Sequence, residues 1–191
     1  MRAESMPSWN ELRTRADDST KMTISFFASQ IGRYVSILAF ITLLMMAYQQ
    51  MPAEVSVEFS PSGDNAKVYS KEIIFYAVAG FMLLANMGFL WMMRLFPKLP
   101  DGFIKLPGAV KWMFYRKQLN AIIAEWLNFG AVFVNALLAV SVYILSVVNT
   151  PDMKQPLSRF EWMIGVACFL LVLWVVYVPM RLLLTNPVKE D

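Results

Sequence analysis

Residues 126–148 read WLNFGAVFVNALLAVSVYILSVV, twenty-three positions without a charged side chain. At about 1.5 Å per residue a helix of this length reaches roughly 34 Å, enough to cross the ~30 Å hydrocarbon layer of a bilayer. Two more stretches have the same character, IIFYAVAGFMLLANMGFLWMM at 73–93 and the run from Trp162 to Met180. A fourth, YVSILAFITLLMMAY from Tyr34 to Tyr48, has a shorter core of about 22 Å and must extend at both ends, with Arg33 snorkelling to the interface. Spans are therefore expected at about 34–50, 73–93, 120–148 and 162–184. Tyr34, Tyr48, Tyr69, Trp91, Trp126 and Trp162 mark their ends as aromatic belts do.

The rest of the chain agrees with this reading. Of 191 residues, 58% are hydrophobic and 16% charged, and the mean hydropathy is +0.49. A soluble domain is nearer half apolar and a quarter charged. The predicted fold class is an all-α membrane protein, four transmembrane helices running up and down in one compact bundle, with the lipid bilayer as its first partner.

The basic residues set the expected orientation. Thirteen lie in the N-terminal segment, the 94–117 loop and the C-terminal tail, against four (Lys67, Lys71, Lys154, Arg159) in the other two connections. By the positive-inside rule, both termini and the middle loop are expected to face the cytoplasm. The same placement explains the net charge of +3 without nucleic acid, since the cations flank apolar runs rather than form a stripe on a soluble domain.

Outside the spans, residues 1–33 are mixed. Ser8-Trp9-Asn10-Glu11 fits a capping box, which predicts a short helix from Trp9 lying on the membrane surface. No small-x-small cleavage pattern follows the first apolar run, so that helix is expected to be retained. The 51–72 loop is expected on the outer side, with Val55, Val57 and Phe59 alternating with Ser56 and Glu58 as in a strand that turns Val57 and Phe59 inward. Pro61-Ser62-Gly63-Asp64-Asn65 then supplies a turn. The connection from Asn149 to Glu161 reads as a plain link, and residues 185–191 as a cytoplasmic tail.

Several chemistries are set aside. The chain has no histidine and one cysteine, Cys168. A self-contained Ser-His-Asp site, a His-ligated haem and an HExxH zinc site all need histidine. The fourteen methionines lack M-x-x-M spacing, and no P-loop, GxSxG or CxxC occurs. We expect no catalytic residues, metal or cofactor, and no enzyme.

Polar residues inside apolar spans are costly unless partnered. Glu125, Asn128 and Asn135 are three and seven positions apart and share a helix face with Ala121, Ala131 and Ala139. Asn86 of the second span is the expected partner of both asparagines, and Glu125 is expected to pair with Arg94, Arg116 or Lys117. This stripe reads first as helix–helix adhesion and second as a polar pocket or ion path.

The outer loop carries a resemblance. Met51-Pro52, the strand Val55-Ser56-Val57-Glu58-Phe59, Gly63 in a turn and Ser70-Lys71 entering the second span resemble a small bacterial membrane domain of SdpI-type immunity proteins. That family has a Leu-Pro, an Ile-Pro-x-His-Phe-like strand, a Gly turn and a Gly-Ser-Lys-like helix entry. The proline-containing basic loop RLFPKLPDGFIKLPG at 94–108 suits it as well. Ser56 stands where the family has its strand proline and Glu58 where it has histidine, so no role of that histidine carries over. The resemblance implies an immunity-like protein that binds an extracytoplasmic ligand or partner, with Glu58, Gly63, Asp64 and Lys71 as candidate contacts. Two other readings stay open: an accessory or scaffold subunit of a larger membrane complex, and a small transporter or channel using the polar stripe.

Overall fold

The computed structural model describes residues 9–59, 65–105, 107–150 and 157–187. Its four long helices are α1 (Trp9–Gln50), α2 (Lys71–Leu95), α3 (Arg116–Asn149) and α4 (Glu161–Leu184). Each contains a segment long and apolar enough to cross a membrane, at Ile24–Gln50, Lys71–Lys98, Val110–Asn149 and Ser158–Leu184. A two-stranded antiparallel hairpin, β1 (Glu54–Phe59) and β2 (Asn65–Ser70), joins α1 to α2.

The expected surface helix and first span are a single helix. From Trp9 to Gln50 there is no proline and a single glycine, Gly32, and one glycine does not stop a helix supported by packing. The apolar segment thus starts at Ile24, ten residues before Tyr34, which removes the shortfall in length. Ser8 of the expected capping box lies outside the described residues.

Partner spacing gives the helix directions. Contacts between α1 and α3 join Ser25 to Glu125, Ser29 to Asn128, Ser36 to Asn135 and Gln50 to Ser146. The offset stays between 96 and 100 residues, so the two helices run parallel. Asn86 meets Asn135 while Phe89 lies at Gly130, and Trp126 meets Trp174 while Glu125 meets Arg181; one number rises as the other falls, so these pairings run antiparallel. Alternate directions are those of an up-and-down arrangement. The packing is not an even ring, however. The most extensive helix pairing is α1 with α3, and α3 also carries α2 and α4, whereas α1 and α2 barely touch. Fourteen α3 residues are buried, against two in α4.

Two apolar cores result. One, around Phe40, Leu44, Met82 and Val142, lies towards the hairpin. The other, around Phe89, Trp112, Leu119, Ile122 and Leu182, lies at the opposite end. The outward faces of α2 and α4 remain apolar and exposed, including Leu84, Trp91, Trp162, Ile164 and Phe169. In water such a surface is very costly, whereas lipid chains solvate it without penalty.

Candidate functional site

Three polar assemblies are built into the helices. The first is the seam between α1 and α3. Serines at 25, 29 and 36 are four and seven positions apart and so share one face of α1, while Glu125, Asn128 and Asn135 share one face of α3. Asn135 is fully buried. It donates to the Ser36 Oγ at 2.9 Å and accepts at 2.7 Å from Asn86, which in turn donates to the Met82 carbonyl at 2.9 Å. Asn128 donates to the Ser29 Oγ at 3.4 Å, and Ser29 donates to the Phe26 carbonyl. Asn86 therefore partners Asn135 as expected, but the Asn128 amide goes to α1. The reason is geometric: α1 faces α3 along most of its length, while α2 crosses it more briefly.

Arg33 joins this seam instead of snorkelling. It is only 6% exposed. Its Nη2 donates to the Asn86 backbone carbonyl at 3.2 Å, and its Nε has no hydrogen-bond partner among the described residues. With α1 continuing well below it, Arg33 is an interior residue of the helix and not its flank, so its head group turns towards protein.

The second assembly ties three helices together. Glu125, 1% exposed, accepts from the Ser25 hydroxyl on α1 and pairs with Arg181 of α4 at 2.8 Å. Tyr177 lies between them, donating to Glu125 at 3.4 Å and accepting from Arg181. The expected partners do not reach Glu125. Arg116 instead pairs with Asp101 at 3.2 Å and donates to the Phe96 and Leu99 carbonyls at 3.0 and 2.7 Å. One turn before Tyr177 in α4, Trp174 stacks on Trp126 with centroids 4.7 Å apart, each indole N–H donating to the other's backbone carbonyl. Gly130 permits this approach, since a Cβ there would come within 2.5 Å of the Trp174 ring and 2.9 Å of Phe89.

The 94–117 loop completes the anchorage of α4. Short 3-10 turns at Phe96–Lys98, Asp101–Phe103 and Ala109–Tyr115 fold beneath the helix ends. The Trp112 indole donates to the Leu182 carbonyl and Lys111 to the Leu183 carbonyl, both at 3.0 Å, which satisfies acceptors at a helix C-terminus. Gly108 has φ 79°, and a Cβ there would meet the Leu182 backbone at 3.1 Å. Both the left-handed backbone and the close approach call for glycine.

The third assembly fixes the hairpin. Asn149, at the end of α3, accepts from the Ser56 N–H at 2.7 Å and donates to the Ser56 carbonyl at 3.1 Å, pairing with the β1 edge as a neighbouring strand would. The Ser70 hydroxyl caps α2 by accepting from Ile73 N–H, Lys71 N–H donates to the Ala53 carbonyl, and the Lys71 ammonium lies 4.8 Å over the Tyr48 ring. Strand geometry at 55–59 agrees with the alternation, but Val57 does not turn inward. Ser56 pairs with Val68 and Glu58 with Lys67, leaving Val57 as an unpaired extra residue. This bulge resets the alternation, so Val55 and Ser56 are buried and Val57 is exposed. The Glu58 and Phe59 side chains, and Gly63 and Asp64, lie outside the described residues. Asn149 opens the stretch expected to be a plain link, and an asparagine at a helix end is the one signal there for a hydrogen-bonding role.

No protein-family model, curated protein or solved structure matches this chain.

Proposed function

We propose that this chain is a non-enzymatic, multi-pass protein of a bacterial cytoplasmic membrane that acts by interaction, in the manner of SdpI-type immunity proteins. Both termini face the cytoplasm, and the hairpin is its extracytoplasmic contact surface. One observation carries the reading. The hairpin is fastened to the helices through Asn149, Ser70 and Lys71 while Val57, Val68 and Tyr69 stay exposed. A segment pre-ordered in this way loses little entropy when it meets a partner.

A second reading, an accessory subunit of a larger membrane complex, draws support from α4, where exposed apolar residues crowd the half that begins at Glu161. A transporter is less well supported. Asn86, Asn128 and Asn135 spend their amides on one another and on serines, which suits adhesion better than passage.

Two measurements test these statements. Cysteines placed at positions 64 and 105, in a background lacking Cys168, are treated with an impermeant thiol reagent in intact cells. We expect labelling at 64 and protection at 105; the reverse would overturn the orientation. For the function, the protein is purified in mild detergent as wild type, as Val68→Asp with Tyr69→Ala, and as Ile164→Ala with Phe169→Ala. A stoichiometric partner lost only with the hairpin variant supports the first reading. Loss only with the α4 variant replaces it by the second.

A further inference from the structure

A cleft of about 370 Å³ lies where α2 gives way to the 3-10 turns, roofed by α3. Met92, Phe96, Phe103, Ile123, Trp126 and Leu127 line it, and Lys105 is its only charged wall residue among the described residues. Its size falls within the range of small-molecule pockets. The wall nearest the loop is fixed in place: Arg116, at the start of α3, donates to the Phe96 and Leu99 carbonyls and lies 5.2 Å over the Phe96 ring, which ties the 3-10 turns to α3.

The surroundings are charged in one sense. Between residues 94 and 117 stand six basic side chains and one acid, Asp101, which Arg116 engages. Lys98 and Lys105 are exposed and make no ion pair among the described residues. The same loop exposes Phe103 at 75%, Val110 at 74% and Phe114 at 92%. Large apolar side chains beside lysines belong at the membrane–water boundary, not in bulk water.

We propose that this cleft is a binding site for an anionic phospholipid of the leaflet that meets the 94–117 loop. One acyl chain enters between Phe96, Ile123 and Leu127, and the phosphate lies against Lys105 and Lys98. A chain without a negative head group fills the cavity equally well but leaves the lysines unused. A free anion has nothing to place against the carbon walls. The site is independent of the hairpin, so failure of the proposed function leaves it standing.

The test uses the full chain in mild detergent with phosphatidylglycerol or phosphatidylcholine of identical chains, read by native mass spectrometry. Phosphatidylglycerol should be retained in preference, and Lys105→Gln should cut that preference about fivefold, as expected for one surface lysine near an anionic head group. The residue is exposed, so the variant keeps its fold. A phosphatidylglycerol carrying a photoreactive group in its chain should label peptides containing Phe96–Lys105 or Ile123–Leu127, and Ile123→Trp should suppress the labelling. Equal retention of the two lipids would overturn the proposal, as would labelling confined to the outer faces of α2 and α4.

Discussion

The α1/α3 seam and the α3/α4 contact differ in where they keep their polar bonds. Along the seam the bonds are spread from Ser25 to Gln50, each modest and each between neutral groups except at Glu125 and Arg33. In α4 they gather at one end, in the Trp126–Trp174 pair, the Glu125–Arg181 pair and the carbonyls taken by Trp112 and Lys111. The half of α4 that starts at Glu161 has no buried residue. A distributed seam loses little when one bond goes, because its neighbours hold the register. A contact concentrated at one end behaves like a hinge, and single changes there move a whole helix. Glu125 belongs to both, which makes it the point where the two systems are coupled.

The largest effect is expected at that point. Arg181→Leu leaves the Glu125 carboxylate buried without a cation and should destabilise the protein by about 3 kcal/mol, the low end for a broken buried pair, because the Arg181 side chain is 20% exposed. Unfolding in detergent with increasing dodecyl sulfate measures it. Glu125→Leu added to Arg181→Leu should recover most of the loss; no recovery would mean that the pair is not what holds α4.

Next comes Gly130→Ala. The added methyl must displace a stacked indole and Phe89, at a cost of about 2 kcal/mol in a packed core. Trp126 and Trp174 should separate, which shows as altered near-ultraviolet circular dichroism. If α4 were free to shift without penalty, stability would not change, and the picture of a rigid hinge would have to be given up.

A smaller and local effect is expected for Asn149→Ala, about 1 kcal/mol for the lost bonds to Ser56. Amide exchange at Ser56 should speed up while exchange along α3 stays slow. Uniform acceleration throughout the protein would show instead that the hairpin is part of the global folding unit.

The smallest change tests the seam. Asn128→Leu should cost about 0.6 kcal/mol or less, since interhelical hydrogen bonds in membranes average near that value and the Ser29 contact is long at 3.4 Å. Asn135→Leu, which removes bonds to both Ser36 and Asn86, should cost more. Should Asn128→Leu leave folding intact yet abolish partner binding, the seam is a site rather than an adhesive.

Much of this was legible beforehand, for identifiable reasons. Apolar runs at 73–93, 126–148 and 162–184 announce helices because length and hydropathy are local properties, and the strand at Val55–Phe59 announces itself through alternation. The burial of Glu125, Asn128 and Asn135 follows from their shared helix face, which fixes the direction in which they point. The first span starts at Ile24 and not near Tyr34, because Arg33, which has the composition of a flank, lies inside the helix. Composition cannot distinguish a cation that snorkels from one that a neighbouring carbonyl receives.

The sequence by itself determined which segments are helical, that four of them are long and apolar enough to cross a membrane, and which face of α3 needs partners. These are consequences of periodicity and of the cost of placing polar groups among apolar ones. Only the tertiary structure decided who the partners are: Arg181 for Glu125, Ser29 for Asn128, Asn149 for the Ser56 backbone, and Trp174 over Gly130. Such pairings depend on the relative rotation and depth of helices far apart in the chain. That placement is set by the sum of many packing contacts, and no single stretch of residues encodes it.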